Sequence, residues 1–459
     1  MNSIEKEIPA FAKASPELSV QEILAKTNET VPYPLNVESY KYLGTEDIDY
    51  SRYTSQDFFD KEMDSMWSRV WQWACREEHI PESGDFVVYD IGPHSFVVVR
   101  GNDNRIRAFY NSCLHRGTML CSPGVSGSAP QMTCPYHGWA WNLDGSLKEI
   151  PSDWDFQHTT QEGLKLPEVK VETWGGFVFI NMDPHAQPLK EYIAPLADHF
   201  ANWNLEDRYI SVHVQKELPS NWKAAAEAFM ENYHTKTVHP QLIPSASGPS
   251  TQYDILGEHA SRFYNLTTVP DPVIGRELSE QEKLDLALVG DGGMRQSVKV
   301  AEGSTARHTL ASILREQFEE ADVETSHLSD SEIIDTMEYT LFPNMFLFPG
   351  LSLPMIYRFR PLGTDPDKCL FDLLFLKPVP RSGERPDPPE PIKVGMNESY
   401  TTVEELDRGM AEVYDQDTGN LELQQKGFYA SKKRGETLAN FQEVRIRHFH
   451  QTLDNYLGE

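Results

Sequence analysis

The chain has 459 residues, of which 39% are hydrophobic and nine are tryptophan, and this predicts two or three globular domains with substantial cores. Its formal charge of −29 argues against nucleic acid as a partner, because phosphate binding needs clustered lysine and arginine. No apolar run approaches the ~20 residues that a helix needs to span a bilayer, so we expect no membrane insertion.

The N-terminus and the cysteines bear on the cellular compartment. Residues 1–7 lack the basic and then apolar order of a signal peptide. Of five cysteines, two belong to the motifs described below, and Cys75, Cys121 and Cys369 are expected to be buried free thiols. Both features predict a cytoplasmic protein, because thiols stay reduced there.

The first predicted elements form an N-terminal arm. Residues 1 to about 45 are polar and predict a helical arm and loop, with Pro32 and Pro34 as helix breakers. Residues 54–73 carry apolar side chains at near-helical spacing and predict a helix.

A small antiparallel β domain is predicted next. Residues 96–99 and 106–110 read as strands, and residues 139–141 read as a strand that enters an Asn-Leu-Asp-Gly hairpin turn. Between them lie C-L-H-R-G at residues 113–117 and C-P-Y-H-G at residues 134–138. The two motifs are therefore expected in loops at the tips of the strands.

The two motifs supply two thiolates, Cys113 and Cys134, and two imidazoles, His115 and His137. This set suits a Rieske [2Fe–2S] centre, in which the thiolates hold one iron and the imidazoles hold the other. A zinc site is the nearest alternative, but zinc fingers pair Cys with Cys and His with His. We therefore predict a cluster that carries single electrons, at a higher potential than an all-cysteine cluster.

A larger second domain is predicted after a helical stretch at residues 189–203. Residues 211–218 alternate like a strand, and residues 221–239 read as one helix. Residues 241–335 are polar and loop-rich, with Gly-Asp-Gly-Gly at residues 290–293, which predicts a lid over a substrate pocket. The remaining elements are three apolar strands and two helices, at residues 340–348, 352–360, 369–377, 401–415 and 421–457.

His234 and His239 are the candidate ligands of a second metal. Five residues separate them by roughly 140° on an ideal helix, so both meet one ion only if the helix loosens or ends, and Pro240 favours an end there. Asp417, which composition alone would make a helix N-cap, could add the carboxylate of a 2-His-1-carboxylate triad. Such a triad leaves open positions on non-haem Fe(II), and Asp415 is the alternative carboxylate.

The chain as a whole resembles the large (α) subunits of Rieske non-haem iron oxygenases, in the aromatic-ring-hydroxylating dioxygenase family. The matching motifs are N-x-C-x-H-R-G (111–117), C-P-Y-H-G-W (134–139), N-W-K (221–223), Y-H-x4-H (233–239) and D-x4-E-x-Q (417–424). By position, the resemblance implies one [2Fe–2S] cluster and one mononuclear Fe(II), held respectively by Cys113, His115, Cys134 and His137, and by His234, His239 and Asp417.

The resemblance also implies an α+β architecture. The expected parts are an N-terminal arm (1–65) that packs on the catalytic domain, a small antiparallel β Rieske domain (66–185) and a catalytic domain (186–459). The catalytic domain should be a helix-grip fold, in which a curved antiparallel sheet wraps around a long helix. A homotrimer is expected, with or without a small β subunit.

Glu231 departs from the usual family pattern. In this family, an acidic residue three before the first iron-binding histidine links that histidine to the Rieske histidine of the neighbouring subunit. The residue is usually Asp, and Glu occurs in a minority that includes oxygenases of carnitine-like quaternary ammonium compounds. The resemblance therefore implies that Glu231 is this bridge.

The function implied is that of a terminal oxygenase, which hydroxylates or oxidatively demethylates an organic substrate with O2. The chain carries no G-x-G-x-x-G fingerprint, so a separate NAD(P)H-dependent reductase, with or without a ferredoxin, should supply electrons. Apolar strands favour an aromatic or polycyclic substrate. One alternative is a quaternary ammonium (carnitine- or betaine-like) monooxygenase, which predicts an aromatic cage around a cation. Another is an electron-transfer Rieske protein without oxygenase activity, which predicts no second iron.

Overall fold

The architecture is known from a computed structural model, which describes residues 15–27, 29–160, 163–289 and 298–458. Residues 1–14 of the predicted arm and the glycine-rich residues 290–293 lie outside this part. The first strands along the chain are β1 (Ile48–Asp49), β2 (Gln72–Arg76), β3 (Asp85–Ile91), β4 (His94–Arg100), β5 (Ile106–Tyr110), β6 (Ser126–Ser128), β7 (Met132–Thr133), β8 (Ala140–Trp141), β9 (Leu147–Glu149), β10 (Glu168–Trp174) and β11 (Phe177–Asn181).

These strands build the small β domain. Strands β2-β11-β10-β5-β4-β3-β6 form a seven-stranded sheet and β7-β8-β9 a three-stranded one, and neighbouring strands are antiparallel in both. The strands predicted at residues 96–99 and 106–110 are confirmed as parts of β4 and β5. The predicted hairpin turn after β8 is also confirmed, and Gly145 adopts a φ of +84° there, which favours glycine.

The later strands form the catalytic sheet, in the order β13-β14-β15-β16-β17-β18-β12-β19. Pairs are antiparallel except β12 and β19. These strands and the remaining one are β12 (Arg208–Leu218), β13 (Gln252–Ile255), β14 (Ala260–Asn265), β15 (Thr336–Leu341), β16 (Met345–Leu347), β17 (Met355–Leu362), β18 (Asp365–Pro378), β19 (Ile392–Val394) and β20 (Gly435–Glu436).

The described ranges also contain helices, and several of them pack on this sheet. They are α1 (Val20–Thr27), α2 (Ser51–Thr54), α3 (Gln56–Glu62), α4 (Gln157–Thr160), α5 (Leu189–Tyr192), α6 (Leu196–His199), α7 (Trp222–Glu227), α8 (Thr235–Val238), α9 (Glu280–Val289), α10 (Ala306–Glu320), α11 (Asp330–Ile334), α12 (Arg408–Gly419), α13 (Leu421–Ala430) and α14 (Val444–Leu457). Helix α14 packs on β13 and β14, and α7 packs on β17 and β18. The expected α+β class, with a curled and mainly antiparallel sheet around helices, is therefore confirmed.

The prediction of one helix over residues 221–239 is wrong, because the chain leaves the helix after α7 and begins a new one at α8. Between the two helices, polar side chains accept the backbone N–H groups that carbonyls of a continuous helix would otherwise accept. The carboxylate of Glu231 accepts the backbone N–H groups of Tyr233 and His234, the latter at 3.0 Å, and the phenol of Tyr253 accepts that of Asn232 at 3.1 Å. Side chains that bond to the backbone in this way compete with a continuous helix.

The prediction of a loop-rich lid over residues 241–335 is also wrong. This segment contributes β13 and β14 to the catalytic sheet, together with α9, α10 and α11. The sequence pattern did not indicate these strands, because they bury charged side chains. Asp254 and Arg262 lie opposite each other across β13 and β14 and form an ion pair at 2.6 Å.

Three further segments differ from the predictions. The single strand at residues 340–348 is a hairpin, formed by the end of β15 and by β16. The single helix at residues 421–457 is split into α13 and α14, because Gly435 and Glu436 pair with β1 between them. The predicted helix at residues 401–415 begins later, at Arg408, and continues to Gly419.

Arginine 358 ties the two main sheets together. It lies on β17, and its guanidinium donates to the backbone carbonyls of Trp73 and Ala74 on β2, each at 3.0 Å. Asp372 on β18 accepts from the same guanidinium at 2.9 Å, and the nearby arginines hold the pKa of Asp372 well below its usual range despite burial. These hydrogen bonds to β2 fix the β domain against the catalytic sheet, and the buried pair with Asp372 holds the guanidinium in place.

Candidate metal centres

The two cysteine loops repeat one backbone pattern. The N–H of each cysteine donates to the carbonyl five residues on, from Cys113 to Thr118 at 2.9 Å and from Cys134 to Trp139 at 2.8 Å. Each cysteine carbonyl accepts the N–H of the glycine four residues on, at 2.9 and 3.1 Å. Gly117 and Gly138 adopt φ values of +77° and +73°, which favour glycine. The two motifs therefore build matching loops despite their different Cys–His spacing.

These loops bring the four predicted cluster ligands together. The thiols of Cys113 and Cys134 are buried and in mutual contact, and burial together with the neighbouring Cys134 raises the pKa of the Cys113 thiol. The rings of His115 and His137 are 4.6 Å apart. Nδ1 of His115 is buried without a hydrogen-bond partner within the described ranges, as a metal-ligating nitrogen would be. The donor set fits two irons bridged by sulfide, with thiolates on one side and imidazoles on the other.

Aromatic rings enclose the histidine side of this centre. Trp139 stacks on His115 with ring centroids 5.0 Å apart, and Tyr136 lies against His137 at 3.7 Å. Tyr136 itself is exposed, so the imidazoles lie near the surface, as electron transfer requires. The other cysteines are free thiols; Cys75 and Cys369 are buried as predicted, but Cys121 is only half-buried.

The second centre is assembled from two distant segments. His234 lies directly before α8 and His239 directly after it, so the helix ends at His239, as the sequence required. Asp417 lies inside α12 and not at its N-cap, where composition alone would have put it. Its Oδ1 is 2.6 Å from Nε2 of His239 and 3.5 Å from Nε2 of His234. The three side chains could together hold a metal ion.

Both histidines are held by their other ring nitrogen. Nδ1 of His234 donates to Glu231 Oε1 at 2.7 Å, and Nδ1 of His239 donates to Gln416 Oε1 at 2.7 Å. Gln241 also donates to that amide oxygen, at 2.8 Å. Each Nε2 is therefore left to face Asp417, which is the tautomer that a metal ligand needs.

Gln416 and Gln241 were missed by the sequence reasoning. The position of Gln416 beside Asp417 was the only available signal. The alternative ligand Asp415 lies elsewhere, because its carboxylate accepts from the Ser399 hydroxyl and from the N–H of Tyr400 at 3.0 Å.

The electrostatics of the triad favour a cation. Burial would lower the pKa of His234, but hydrogen bonds and charges from Asp417 and Glu231 outweigh it and raise that pKa to about 10. The same imidazoles lower the pKa of Asp417, although burial opposes them. Without a metal, His234 therefore also carries a proton on Nε2, which offsets part of the charge of the two carboxylates, and a divalent ion can take over that role.

Comparisons with known proteins agree with this reading of the two centres. The Rieske [2Fe–2S] domain family matches residues 70–160, and the family described as ring hydroxylating alpha subunit (catalytic domain) matches residues 197–459. The chain therefore belongs to the ring-hydroxylating α subunits, an oxidoreductase family of mono- and dioxygenases. The two domains imply a Rieske cluster and a mononuclear iron.

Individual relatives cover part of the chain. The carnitine monooxygenase oxygenase subunit of Escherichia coli (strain K12) is 33% identical over 195 residues, 42% of this chain and 52% of that protein. Biphenyl 2,3-dioxygenase subunit alpha of Rhodococcus jostii (strain RHA1) is 33% identical over 243 residues, 47% of this chain and 51% of that protein. The chain thus spans about half the length of these curated relatives.

A solved structure extends the likeness of fold. The structure of a quaternary ammonium Rieske monooxygenase superposes with a TM-score of 0.62 at 20% identity, covering 89% of this chain and 95% of that one. No helix in the described ranges is long and apolar enough to cross a membrane.

Proposed function

We propose that this chain is the terminal oxygenase of a multicomponent system, which uses electrons from a separate NAD(P)H-dependent reductase to oxidise a small organic substrate with O2. The observation that carries the proposal is the convergence of His234, His239 and Asp417, with each Nδ1 engaged elsewhere. Two imidazoles and one carboxylate on one face of an iron leave positions for O2 and substrate.

Each centre has its own set of residues in this proposal. Cys113, Cys134, His115 and His137 would hold the [2Fe–2S] cluster, and His234, His239 and Asp417 would hold the Fe(II). When bound, the cluster supplies single electrons and the Fe(II) supplies a place where O2 is reduced. The protein's own contribution is to fix the ligands. Glu231 and Gln416 hold the two imidazoles in the Nε2-binding tautomer.

The assembly proposed is a homotrimer, in which Glu231 also meets the Rieske histidine of a neighbouring subunit. His234 keeps 25% of its side chain exposed, whereas His239 keeps 3%, so the triad is open on the His234 side. A partner could approach there. We retain the division into an arm (1–65), a Rieske domain (66–185) and a catalytic domain (186–459).

For the substrate we propose a quaternary ammonium compound. Two observations support this choice over the aromatic substrate that the apolar strands favoured. One is the similarity to a carnitine monooxygenase subunit, and the other is Glu231, which replaces the usual Asp. An aromatic compound is the second candidate, supported by the similarity to a biphenyl dioxygenase subunit.

A buried aromatic cluster lies close to Asp417, and we propose that the substrate binds on this side of the triad. Tyr414 is one turn before Asp417 on α12, and its hydroxyl is 2.9 Å from that of Tyr357. Phe229 and Phe371 pack on Tyr357, with centroids 5.2 and 5.4 Å away. Faces of such rings attract a quaternary ammonium group.

The experiment that tests this proposal couples the protein to a reductase and follows NADH and O2 consumption. Trimethylammonium compounds are compared with their neutral 3,3-dimethylbutyl isosteres, which have the same shape without the charge. We expect at least about tenfold higher kcat/KM for the cations, the size of one desolvated cation–π contact. Equal turnover of both, or turnover of biphenyl-like compounds alone, would contradict the quaternary ammonium assignment.

Matched variants of Tyr357 sharpen the test. Tyr357→Phe keeps the ring face and should keep the preference for the cation, whereas Tyr357→Leu removes the face and should lose it. Retention of the preference in Tyr357→Leu would show that the cation is bound elsewhere.

A further inference from the structure

A second polar cluster is buried outside the two metal centres. The hydroxyl of Tyr53, on α2, is 3.0 Å from both carboxylate oxygens of Glu227 and 2.5 Å from Oε1 of Glu436. The same hydroxyl is 2.9 Å from Nε2 of His450, and that nitrogen is 2.8 Å from Glu227 Oε1. These four residues, here called the quartet, come from α2, α7, β20 and α14.

The contacts within the quartet require an additional proton. Arg52 approaches Nδ1 of His450 at 3.4 Å, and a guanidinium can only donate, so Nδ1 accepts and Nε2 carries the hydrogen. Nε2 therefore donates to Glu227. Tyr53 has one hydrogen, which it can give to only one of the two carboxylates. The phenol and both carboxyl groups are all satisfied only if one carboxyl is protonated.

The charges around the quartet lead to the same conclusion. Burial raises the pKa of Glu227 to about 7, and burial with the charge of Glu227 raises that of Glu436 to about 9. Lys223 forms an ion pair with Glu62 at 2.7 Å, and Arg52 forms one with Asp454 at 2.6 Å. The charged groups whose fields reach Glu227 or Glu436 include Arg52, Lys223, Arg447, Glu62 and Glu443. Because two of the cations already hold other carboxylates, a proton is left to neutralise the quartet.

A metal ion fits the quartet less well. Glu227, Glu436 and His450 are close enough to share a cation. However, the only nitrogen of His450 that faces the carboxylates is the one that Arg52 forces to carry hydrogen, and a protonated nitrogen cannot ligate a metal.

One end of the quartet reaches solvent and the other end is buried. Glu436 is partly exposed, whereas Tyr53, Glu227 and His450 are buried. At its inner end, Glu227 begins the short segment that leads to Glu231 and His234. The charges of Glu231 and of Glu227 both help to raise the pKa of Glu443, so both carboxylates lie near this residue.

We propose that Glu436, Tyr53 and Glu227 form a proton relay, which carries protons from solvent towards the His234–His239–Asp417 site; this rests on the proposed function. Insertion of one oxygen atom consumes O2, two electrons from the reductase and two protons, and yields hydroxylated product and water. The relay delivers these protons. Tyr53 accepts a proton from the carboxyl of Glu436 on an oxygen lone pair and passes its own hydrogen to Glu227. Glu227 releases this proton to water on the side of the Glu231–His234 segment, and Glu436 takes up the next proton from solvent. His450 positions Glu227 and does not move.

The first test is spectroscopic and needs no turnover. The purified holoenzyme at neutral pH should show the infrared C=O stretching band of a protonated carboxyl, which shifts in D2O. Glu227→Gln and Glu436→Gln should remove or move the band, and Glu422→Gln, which changes an exposed glutamate paired with Lys426, should leave it unchanged. A wild-type protein without such a band, or a band abolished by added Mn2+ or Zn2+, would overturn the proposal.

The second test measures turnover in the same variants. Tyr53→Phe and Glu436→Gln should slow product formation at least about tenfold, since proton transfer through a positioned group contributes factors of this order or more. They should also raise the solvent isotope effect, with unchanged iron content and unchanged reduction of the cluster. Variants that retain wild-type rate and isotope effect would overturn the relay. A wild-type protein that oxidises no substrate would instead contradict the proposed function, while the infrared band still reports on the stored proton.

Discussion

The two metal centres differ in how the chain builds them. The cluster loops are local, since each one places its cysteine and histidine within a few residues and closes with a glycine at positive φ. The second centre joins His239 to Asp417 across 178 residues of sequence and depends on a break between α7 and α8 and on the docking of α12. A local site survives changes in distant packing, whereas an assembled site depends on all of the elements that bring it together.

The largest effect that separates the two centres is expected from Asp417→Ala. Removing the carboxylate takes one ligand and the main counter-charge from the triad, so the variant should lose the mononuclear iron and all turnover. The visible spectrum of the cluster should be unchanged, because its proposed ligands lie in loops of the small β domain. The matched control Asp415→Ala should keep its iron, since that carboxylate bonds Ser399 and Tyr400 instead of the triad. Reversed results for the two variants would move the third ligand to Asp415.

Changing a cluster ligand should affect the cluster and leave the mononuclear iron centre intact. In His137→Cys, a charged thiolate replaces a neutral imidazole, so the reduction potential should fall by on the order of hundreds of millivolts. A potentiometric EPR titration measures this, and iron at the second centre should be retained. An all-cysteine EPR signature in the unmodified protein would refute the Rieske assignment.

Glu231 lies where the two centres are proposed to communicate. Glu231→Gln should keep both metals but slow electron transfer between them roughly 10–100-fold, the usual cost of losing a carboxylate that orients a ligand. In this variant the side-chain NH2 group would also replace the carboxylate oxygen that accepts from the N–H groups of Tyr233 and His234, so that donors would face donors. Glu231→Asp should restore part of the rate. Single-turnover reoxidation of the cluster at an unchanged rate in Glu231→Gln would show that this residue is not the bridge.

The smallest effect is a dependence of iron binding on pH. The pKa of His234 is raised to about 10 in the metal-free triad, so this imidazole is protonated at pH 7 and must lose its proton to bind iron. Iron uptake should therefore release about one proton, and affinity should fall as the pH falls. Calorimetry in buffers of different ionisation enthalpy measures the release. No release between pH 7 and 8 would contradict the described charge balance.

The same contrast explains what could be predicted from the sequence. The Rieske domain and strands β4 and β5 were accessible because their patterns are short and local. The break after α7 was not, because it depends on Tyr253 and on the carboxylate of Glu231. Strands β13 and β14 were missed because Asp254 and Arg262 neutralise each other only once the strands are paired. Gln416 could be assigned only when α12 was docked beside His239.

The central claim is that one chain holds two separate iron centres, and counting iron and acid-labile sulfide in the purified protein tests it most directly. We expect about three irons and two sulfides per chain, because a [2Fe–2S] cluster contributes two irons and the triad one. Asp417→Ala should contain about two irons and two sulfides. A wild-type protein with only two irons would contradict the second iron centre and indicate an electron-transfer protein. Zinc without sulfide would contradict the [2Fe–2S] cluster.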